Sequence, residues 1–315
     1  MTVKTDRLVT LFGGGGFVGR YAVRALLAAG ARVRIADRRP ERAYFLRTQG
    51  GLGQYEAVRA DIADPASVAA AVAGADAVVN LVGILKGNFR TYHVEGAAHV
   101  ARAAAAAGAQ SLVQISAIGA DPDSASAYGR SKGEGEAAVR AGFPKATILR
   151  PSIVFGPEDD FVNKFARMAR LLPLLPVIRG DWRLQPVFAA DLGRAIGAAA
   201  LDPAAHAGKT YEIAGPNVTT MRELNRWVAR AAGHPRGQFD VPDPIAKAMA
   251  RVGGFLPGAP MTWDQWLMLR TDNVADPALP GLAAFGIRPT PLEAVAEEWL
   301  VAYKRNGRFA KAPSA

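Results

Sequence analysis

The sequence predicts an α/β protein built on a doubly wound parallel β-sheet, with a smaller, mainly helical C-terminal domain. Three observations carry this prediction. Short apolar runs alternate with alanine-rich helical stretches over residues 8–150, a glycine-rich turn follows the first apolar run, and Pro and Gly separate helical segments from residue 219 onward. Strands that alternate with helices form βαβ units, whose parallel sheet is covered by helices on both faces.

The alternation assigns the elements in order. The predicted pairs of strand and following helix are 8–12 with 19–29, 33–36 with 42–47, 58–60 with 67–73, 77–82 with 92–107, and 112–115 with 131–141. A sixth strand is predicted at 147–149 and a last one at 211–214, and further helices at 159–170, 221–232, 245–252 and 263–269. We therefore expect a dinucleotide-binding domain at 1–215, with an excursion at about 152–184, and a smaller substrate or interaction domain at 216–315.

The composition excludes several classes of protein. Half of the 315 residues are hydrophobic and 21% are charged, as in folded globular proteins. The chain has no cysteine, which rules out disulfides, thiol nucleophiles and Cys-ligated metals. No pair among the four histidines (His93, His99, His206 and His234) has ligand spacing beside a third ligand, so we expect no metal site.

Charge and hydropathy bound the location and the partners. The net charge of +10 favours an acidic partner, but no nucleic-acid-reading motif is present, so we expect no nucleic acid. The first seven residues leave no room for a signal peptide before the first predicted strand, which favours the cytoplasm. Every long apolar stretch is interrupted before ~20 residues, so we expect no transmembrane segment.

The first turn carries the most specific motif. Gly13, Gly16 and Gly19 have GxxGxxG spacing between a predicted strand and a predicted helix. Glycine lets the backbone approach a pyrophosphate, which then lies at the positive N-terminus of the helix. The turn therefore predicts dinucleotide binding by Gly13, Gly15, Gly16, Phe17, Val18, Gly19 and Arg20.

The end of the second strand bears on which dinucleotide binds. An acidic residue there holds a ribose 2′-hydroxyl, whereas an arginine accommodates a 2′-phosphate. Asp37, Arg38 and Arg39 offer both, and Arg20 adds a third guanidinium, so we favour NADP(H) over NAD(H). Later strand ends add candidate cofactor-binding residues: Asp61, Ile62, Asn80, Leu81, Val82, Gly83, Ile115, Pro151 and Ile153.

A candidate catalytic group follows the fifth strand. Tyr128 and Lys132 are four residues apart, hence on one helical face, so the ammonium can lie near the phenol. A nearby cation lowers the pKa of a tyrosine toward a value useful for acid–base chemistry. Ser116 could orient a substrate carbonyl or hydroxyl. The three residues are a candidate catalytic site, which a non-enzyme could also retain as a vestige, and they are candidate cofactor-binding residues as well.

These motifs, together with the segment 148–157 (ILRPSIVFGP), resemble the extended short-chain dehydrogenase/reductase family, which has a Rossmann fold. The resemblance implies that 148–157 is the strand and loop that pass the nicotinamide. In one respect the sequence departs from the family: His93 stands where the family has a catalytic asparagine, which puts a proton relay in doubt.

The resemblance narrows further to the nicotinamide-nucleotide-binding accessory subunits of respiratory complex I. It rests on 129–136 (GRSKGEGE), 150–159 (RPSIVFGPED), 185–188 (QPVF), 279–282 (LPGL) and 286–293 (GIRPTPLE). It implies tight binding of NADPH in a structural or sensing role without turnover, with Arg38 at the 2′-phosphate. It also implies that a bacterial relative docks peripherally on the cytoplasmic side of the inner membrane, beside complex I subunits near the quinone site.

Other interpretations stay open. The chain could be a free NAD(P)-dependent reductase, dehydrogenase or epimerase that uses Tyr128, Lys132 and Ser116, or an NADP-sensing regulator. The apolar stretch 244–270 is either the core of a small domain or an interface with a partner or membrane. The basic tail 304–311 is either solvated or a contact with anionic lipid.

Overall fold

The computed structural model describes residues 6–253 and 261–309. Its strands are β1 (Leu8–Phe12), β2 (Arg32–Asp37), β3 (Tyr55–Arg59), β4 (Ala77–Asn80), β5 (Ser111–Ile115), β6 (Thr147–Pro151), β7 (Val154–Phe155), β8 (Leu174–Ile178), β9 (Arg183–Leu184), β10 (Val187–Phe188), β11 (Thr210–Ile213), β12 (Thr219–Thr220) and β13 (Gly237–Val241).

The α-helices are α1 (Phe17–Ala28), α2 (Pro65–Val72), α3 (Gly96–Ala106), α4 (Ala127–Gly142), α5 (Phe161–Leu171), α6 (Ala189–Leu201), α7 (Pro203–His206), α8 (Met221–Ala231), α9 (Asp243–Gly253), α10 (Trp263–Met268), α11 (Leu292–Val295) and α12 (Glu297–Leu300). Short 3₁₀ segments lie at Pro40–Gln49, Leu282–Phe285, Val301–Tyr303 and Gly307–Phe309, and a π-helical turn at Arg90–Glu95. Within the described ranges, no helix has both the length and the apolar character needed to cross a membrane.

The chain forms two compact units, each made of several segments. The first unit comprises the residues up to Ser152, then Ala189–Ala214 and Ala275–Pro289. The second comprises Ile153–Phe188, Gly215–Val274 and the residues from Thr290 onward.

The first unit contains a seven-stranded parallel sheet in the order β11-β6-β5-β4-β1-β2-β3, which confirms the predicted fold class. Its strands are rich in fully buried aliphatic residues because helices cover both faces. Helices α2, α3 and α4 pack on one face through Val68, Val100 and Val139, while α1 and α6 pack together on the other. All strands point the same way, so their carboxyl ends meet at one edge of the sheet.

Two predicted helices differ in type. The segment predicted at 42–47 is a 3₁₀ segment that begins with Pro40, a residue that suits the first turn of a helix. The segment predicted at 92–107 starts as the π-helical turn Arg90–Glu95 before it continues as α3. A π-helical turn is rare and frequently lies at a functional site.

The second unit is less helical than the sequence suggested. Strand β8 forms in the Pro-rich stretch after α5 and pairs in parallel with β13, from Leu174 opposite Gly237 to Ile178 opposite Val241. Both strands of a two-stranded pair are edge strands, where Pro176 is tolerated. The main core of this unit includes Phe155, Leu184 and Val228.

The boundaries of the units differ from the expected ones. Residues 275–289 pack on the first unit, although they were assigned to a domain at 216–315, and the excursion extends to Phe188. Glu212 holds residues 275–289 on the first unit. Its carboxylate accepts a hydrogen bond from the Asp276 N–H at 2.7 Å, and its own N–H donates to the Pro280 carbonyl. The ring of Phe285 also stacks on His206 and contacts Tyr211.

Candidate functional site

A cavity of about 360 Å³ lies at the carboxyl edge of the sheet in the first unit. Its lining consists of Phe12, Gly13, Gly16, Phe17, Val18, Gly19, Ala36, Asp37, Arg38, Ala60, Asp61, Ile62, Leu81, Val82, Gly83, Ile84 and Tyr92. Most of these residues were candidate cofactor-binding residues from the sequence. Those not predicted are Phe12, Ala36, Ala60, Ile84 and Tyr92.

The glycine turn shapes one wall of the cavity. Gly13 has φ +77°, a left-handed conformation that favours glycine. A Cβ on Gly19 would lie 2.5 Å from the carbonyl oxygens of Gly13 and Gly14, so no side chain fits there. Helix α1 begins at Phe17 after Gly16, and no side chain caps it. Its first N–H groups are therefore available to an anion, as a pyrophosphate site requires.

Gly15 and Arg20, also predicted to bind the cofactor, are not part of the lining. A Cβ on Gly15 would contact Ala43 at 3.1 Å, so the lack of a side chain at Gly15 lets the segment Pro40–Gln49 pack closely against it. The guanidinium of Arg20 lies 5.0 Å from the ring centroid of Phe45 in the same segment. Both residues therefore adjoin the segment Pro40–Gln49.

One of the three predicted guanidiniums, that of Arg38, lines the cavity beside Asp37. Its Nη1 donates to the hydroxyl oxygen of Tyr92 at 3.2 Å, and its guanidinium lies 5.4 Å from the Tyr92 ring centroid. The Asp37 carboxylate accepts a hydrogen bond from the backbone N–H of Arg39. The side chain of Arg39 is exposed and does not line the cavity.

Asp61 and Asn80 have different roles in the structure. Asp61 lines the cavity, and its carboxylate accepts a hydrogen bond from the Ala63 N–H at 3.0 Å. Asn80 is fully buried and does not line it. Its side chain donates to Gln114 at 2.9 Å and accepts from the Val82 N–H at 3.1 Å. Asn80 therefore fixes the turn after β4, and that turn lines the cavity.

Tyr128 and Lys132 lie together on α4, and Ser116 follows β5. Lys132 is 6% exposed, its Nζ lies 5.8 Å from the Tyr128 ring centroid, and it donates to the Ile115 carbonyl at 3.2 Å. Burial lowers the pKa of Lys132 to about 8. A Cβ on Gly83, a lining residue, would lie 3.3 Å from this Nζ, so the ammonium adjoins the cavity.

Ser116 is 4% exposed, and its hydroxyl has no hydrogen-bond partner in the part of the chain that the structure describes. Such a buried group is typical of a site completed by a ligand.

Pro151 is buried at the end of β6, whereas Ile153 belongs to the second unit and packs in its core.

His93, noted from the sequence for its departure from a family pattern, is the centre of a buried hydrogen-bond network. Its Nε2 accepts from the Ile84 N–H at 2.9 Å, and its Nδ1 lies 2.8 Å from Ser131 Oγ. Ser131 Oγ in turn donates to the Tyr128 carbonyl at 2.8 Å. Since Nε2 must be the acceptor, the ring proton is on Nδ1. Burial, then the charge of Lys132, lowers the pKa of His93 to about 3, so the ring is neutral at physiological pH.

The residues of this edge fit a nicotinamide dinucleotide. The glycine turn and the uncapped α1 N-terminus would hold the pyrophosphate, Asp37 and Arg38 would meet the adenosine ribose, and the Ser116 hydroxyl is free of protein partners in the described ranges. Among the described residues, no group of three or more His, Asp or Glu side chains could hold a metal ion.

The comparisons with known proteins agree with this assignment. An NAD(P)H-binding family model matches residues 13–161. The chain is 33% identical over 318 residues to NADH dehydrogenase (ubiquinone) 1 alpha subcomplex subunit 9, mitochondrial, of Arabidopsis thaliana, covering 95% of this chain and 79% of that protein. It is 30% identical to a ceramide reductase of Caulobacter vibrioides, over 78% of this chain and 76% of the relative.

Solved structures support the fold. The NADPH-dependent quinone oxidoreductase of Escherichia coli has a TM-score of 0.73 at 22% identity, with 93% of this chain and 99% of that chain covered.

Proposed function

Because the chain belongs to the family of the alpha subcomplex subunit 9 of NADH dehydrogenase (ubiquinone), an atypical branch of the extended short-chain dehydrogenases/reductases, we propose that it is an accessory subunit of respiratory complex I. The observation that carries the proposal is the extent of the match. It spans 95% of the chain and therefore includes most of the second unit, which lies largely outside residues 13–161 of the NAD(P)H-binding model. The proposed role is structural or redox-sensing, at the junction of the peripheral and membrane arms near the quinone site.

We propose NADP(H) as the bound nucleotide. The support is Arg38, which lines the cavity at the end of β2, where a 2′-phosphate would lie. Asp37 beside it would hold a ribose hydroxyl instead, so the choice depends on which group the ligand presents. A nucleotide that binds the folded chain at a hundred times its Kd would stabilise it by about 2.7 kcal/mol. The bound nucleotide would thus act as a structural element.

The proposed absence of turnover is supported by His93. A proton relay needs a group that can exchange protons, whereas both ring nitrogens of His93 are engaged and its pKa is about 3. In the proposed role, Ser116, Tyr128 and Lys132 hold the nicotinamide end of the nucleotide. The location proposed with it is peripheral, on the cytoplasmic side of a bacterial inner membrane.

The test is to solubilise native membranes gently, isolate complex I and analyse it by mass spectrometry. The proposal expects this chain in the complex and NADP(H) released on denaturation. A chain that never comigrates with the complex would refute it, and release of NAD(H) instead would refute the nucleotide choice.

A second candidate function is a free reductase, dehydrogenase or epimerase. It is favoured by the buried Ser116 hydroxyl, which has no hydrogen-bond partner among the described residues, and by the relative named ceramide reductase. In a reduction the nucleotide would supply the hydride. Tyr128 would then donate a proton to the carbonyl oxygen, Ser116 would orient that oxygen, and the Lys132 ammonium would stabilise the resulting phenolate. A soluble chain with exchangeable cofactor and activity in a carbonyl-substrate screen would favour this candidate.

A further inference from the structure

Helix α9 in the second unit has an apolar face that is turned to solvent. With 100° between successive residues, Ala246 and Ala250 lie on one side of the helix and Ile245, Ala248 and Met249 on another. Both alanines of the first side are fully buried. Ile245 is 53% exposed, Met249 is 39% exposed and Ala248 is exposed. A surface helix usually buries its larger apolar residues, so this helix has the reverse arrangement.

The sheet pair beneath α9 also exposes apolar side chains. Leu175 and Val177 of β8 face the inner core, so Leu174 and its partner strand's Phe239 lie on the opposite face. Leu174 is 52% exposed and Phe239 is 48% exposed. Helix α9 packs over the other end of this outer face, where Ile178 and Val241 lie against a buried cluster formed by its alanines with Met261 and Trp266. The exposed apolar residues of α9, Leu174 and Phe239 therefore all belong to the one packed group formed by β8, β13 and α9.

The charges around this surface are basic. Lys247 and Arg251 form the third side of α9 and lie over the rings of Trp266 and Trp263, at 5.8 and 5.0 Å from the centroids. Neither cation has an ion pair among the described residues. Two of the nearby carboxylates are paired with arginines: Asp243 with Arg179 at 3.0 Å and Asp240 with Arg222 at 2.7 Å.

We propose that this surface, formed by Leu174, Phe239, Ile245, Ala248 and Met249 and flanked by Lys247 and Arg251, docks on an anionic lipid membrane. An exposed apolar helix face beside long cationic side chains is the arrangement of helices that lie in the membrane interface. The apolar side chains enter the acyl boundary while the two cations meet lipid phosphates. This inference rests on the proposed function only for the choice of membrane, and it deepens the proposed peripheral location.

The test uses the purified full-length chain and co-sedimentation with vesicles. One vesicle type is phosphatidylcholine, and the other contains phosphatidylcholine and phosphatidylglycerol in equal parts. We expect binding to the anionic vesicles, reduced about tenfold by either Ile245→Ser or Met249→Ser. The double variant Lys247→Gln/Arg251→Gln should lose about fivefold per cation on anionic vesicles and nothing on phosphatidylcholine.

The matched control is Leu52→Ser, which removes a fully exposed leucine from the first unit and should leave binding unchanged. Each variant must retain the thermal stabilisation by NADPH, which reports an intact first unit, and the far-ultraviolet circular dichroism of the parent chain. We expect the stabilisation and the circular dichroism to stay unchanged, because Ser replaces exposed side chains.

Three results would overturn the docking proposal: no vesicle binding by the parent chain, equal losses from Leu52→Ser and Met249→Ser, or loss of complex I association by Met249→Ser without any loss of vesicle binding. The last would mean that a protein covers the surface. Vesicle binding that depends on Ile245 and Met249, in a chain absent from isolated complex I, would support docking while refuting the proposed function.

Discussion

The imidazole Nδ1 of His93 lies 2.8 Å from the hydroxyl oxygen of Ser131, and this contact ties the π-helical turn Arg90–Glu95 to helix α4, which carries Tyr128 and Lys132. The same ring accepts the Ile84 N–H from the wall of the cavity. One neutral side chain therefore joins the cavity wall to the candidate catalytic helix.

We predict that His93 lowers the free energy of unfolding as the solution becomes acidic. Its pKa is about 3 in the folded chain and about 6.5 when exposed, so the unfolded state binds more protons between these values. Above pH 6.5 the neutral ring makes its full contribution to the free energy of unfolding. As the pH falls this free energy decreases, by about 2 kcal/mol near pH 5. His93→Asn should show a shallower fall in the free energy of unfolding, measured by urea denaturation at several pH values. His99→Asn is the control, and identical slopes for the parent and His93→Asn would contradict the prediction.

We predict that Lys132→Met stabilises the nucleotide-free chain. Burial lowers the pKa of Lys132 to about 8, so at neutral pH the folded state carries a costly buried ammonium. Removing it should raise the free energy of unfolding by about 2 kcal/mol and weaken nucleotide binding. In the parent chain, stability should rise with pH from about 8 to 10.5, where the unfolded state binds the extra proton. Chemical denaturation with and without NADPH measures both effects.

The control for that experiment is Lys145→Met, since Lys145 is exposed. A lower free energy of unfolding for nucleotide-free Lys132→Met would mean that the ammonium stabilises the empty fold.

We predict that Arg38→Ala discriminates between the two nucleotides. A hydrogen bond to a charged group contributes about 1.5–3 kcal/mol, so loss of the guanidinium should weaken NADPH binding by roughly tenfold to a hundredfold. NADH binding should change little. Isothermal titration calorimetry with both nucleotides measures this. Arg39→Ala, outside the cavity lining, should alter neither affinity, and equal losses for NADPH and NADH in Arg38→Ala would place the phosphate elsewhere.

We predict that Tyr128→Phe leaves incorporation into complex I unchanged. The substitution keeps the ring that contacts Phe89 and His93 and removes the hydroxyl. Affinity isolation of the complex from cells expressing the variant, followed by detection of this chain by mass spectrometry, is the measurement. A free reductase would instead lose at least about a hundredfold in activity, because its proton donor is gone.

Local patterns in the sequence were sufficient for the seven-stranded sheet, the turn at Gly13 and the pairing of Tyr128 with Lys132. Each depends on short spacing along one strand, turn or helix. Tyr92 and the His93 network were not predictable, because the π-helical turn is set by packing and its partners Ile84 and Ser131 come from other elements. Asn80 was assigned to the cofactor, but its amide is used by Gln114, a residue 34 positions away.

The second unit was harder to predict for the same reason. Strand β13 pairs with β8 across some sixty residues of chain, and β8 lacks the alternating pattern of a half-buried strand. The sequence did not separate core from surface in the stretch 244–270, where Ala246, Ala250 and Trp266 are buried while Ile245 and Met249 are exposed.

The stacking of Phe285 on His206 and against Tyr211 has a consequence for biosynthesis. The ribosome releases β11 well before residues 275–289, so the edge strand of the nascent sheet stays uncovered while Gly215–Val274 of the second unit are being made. If the first unit folds before residues 275–289 are synthesised, Tyr211 stays uncovered until they are. Premature termination before residue 275 would therefore expose aromatic surface on the first unit, and such products should be recognised by chaperones and proteases.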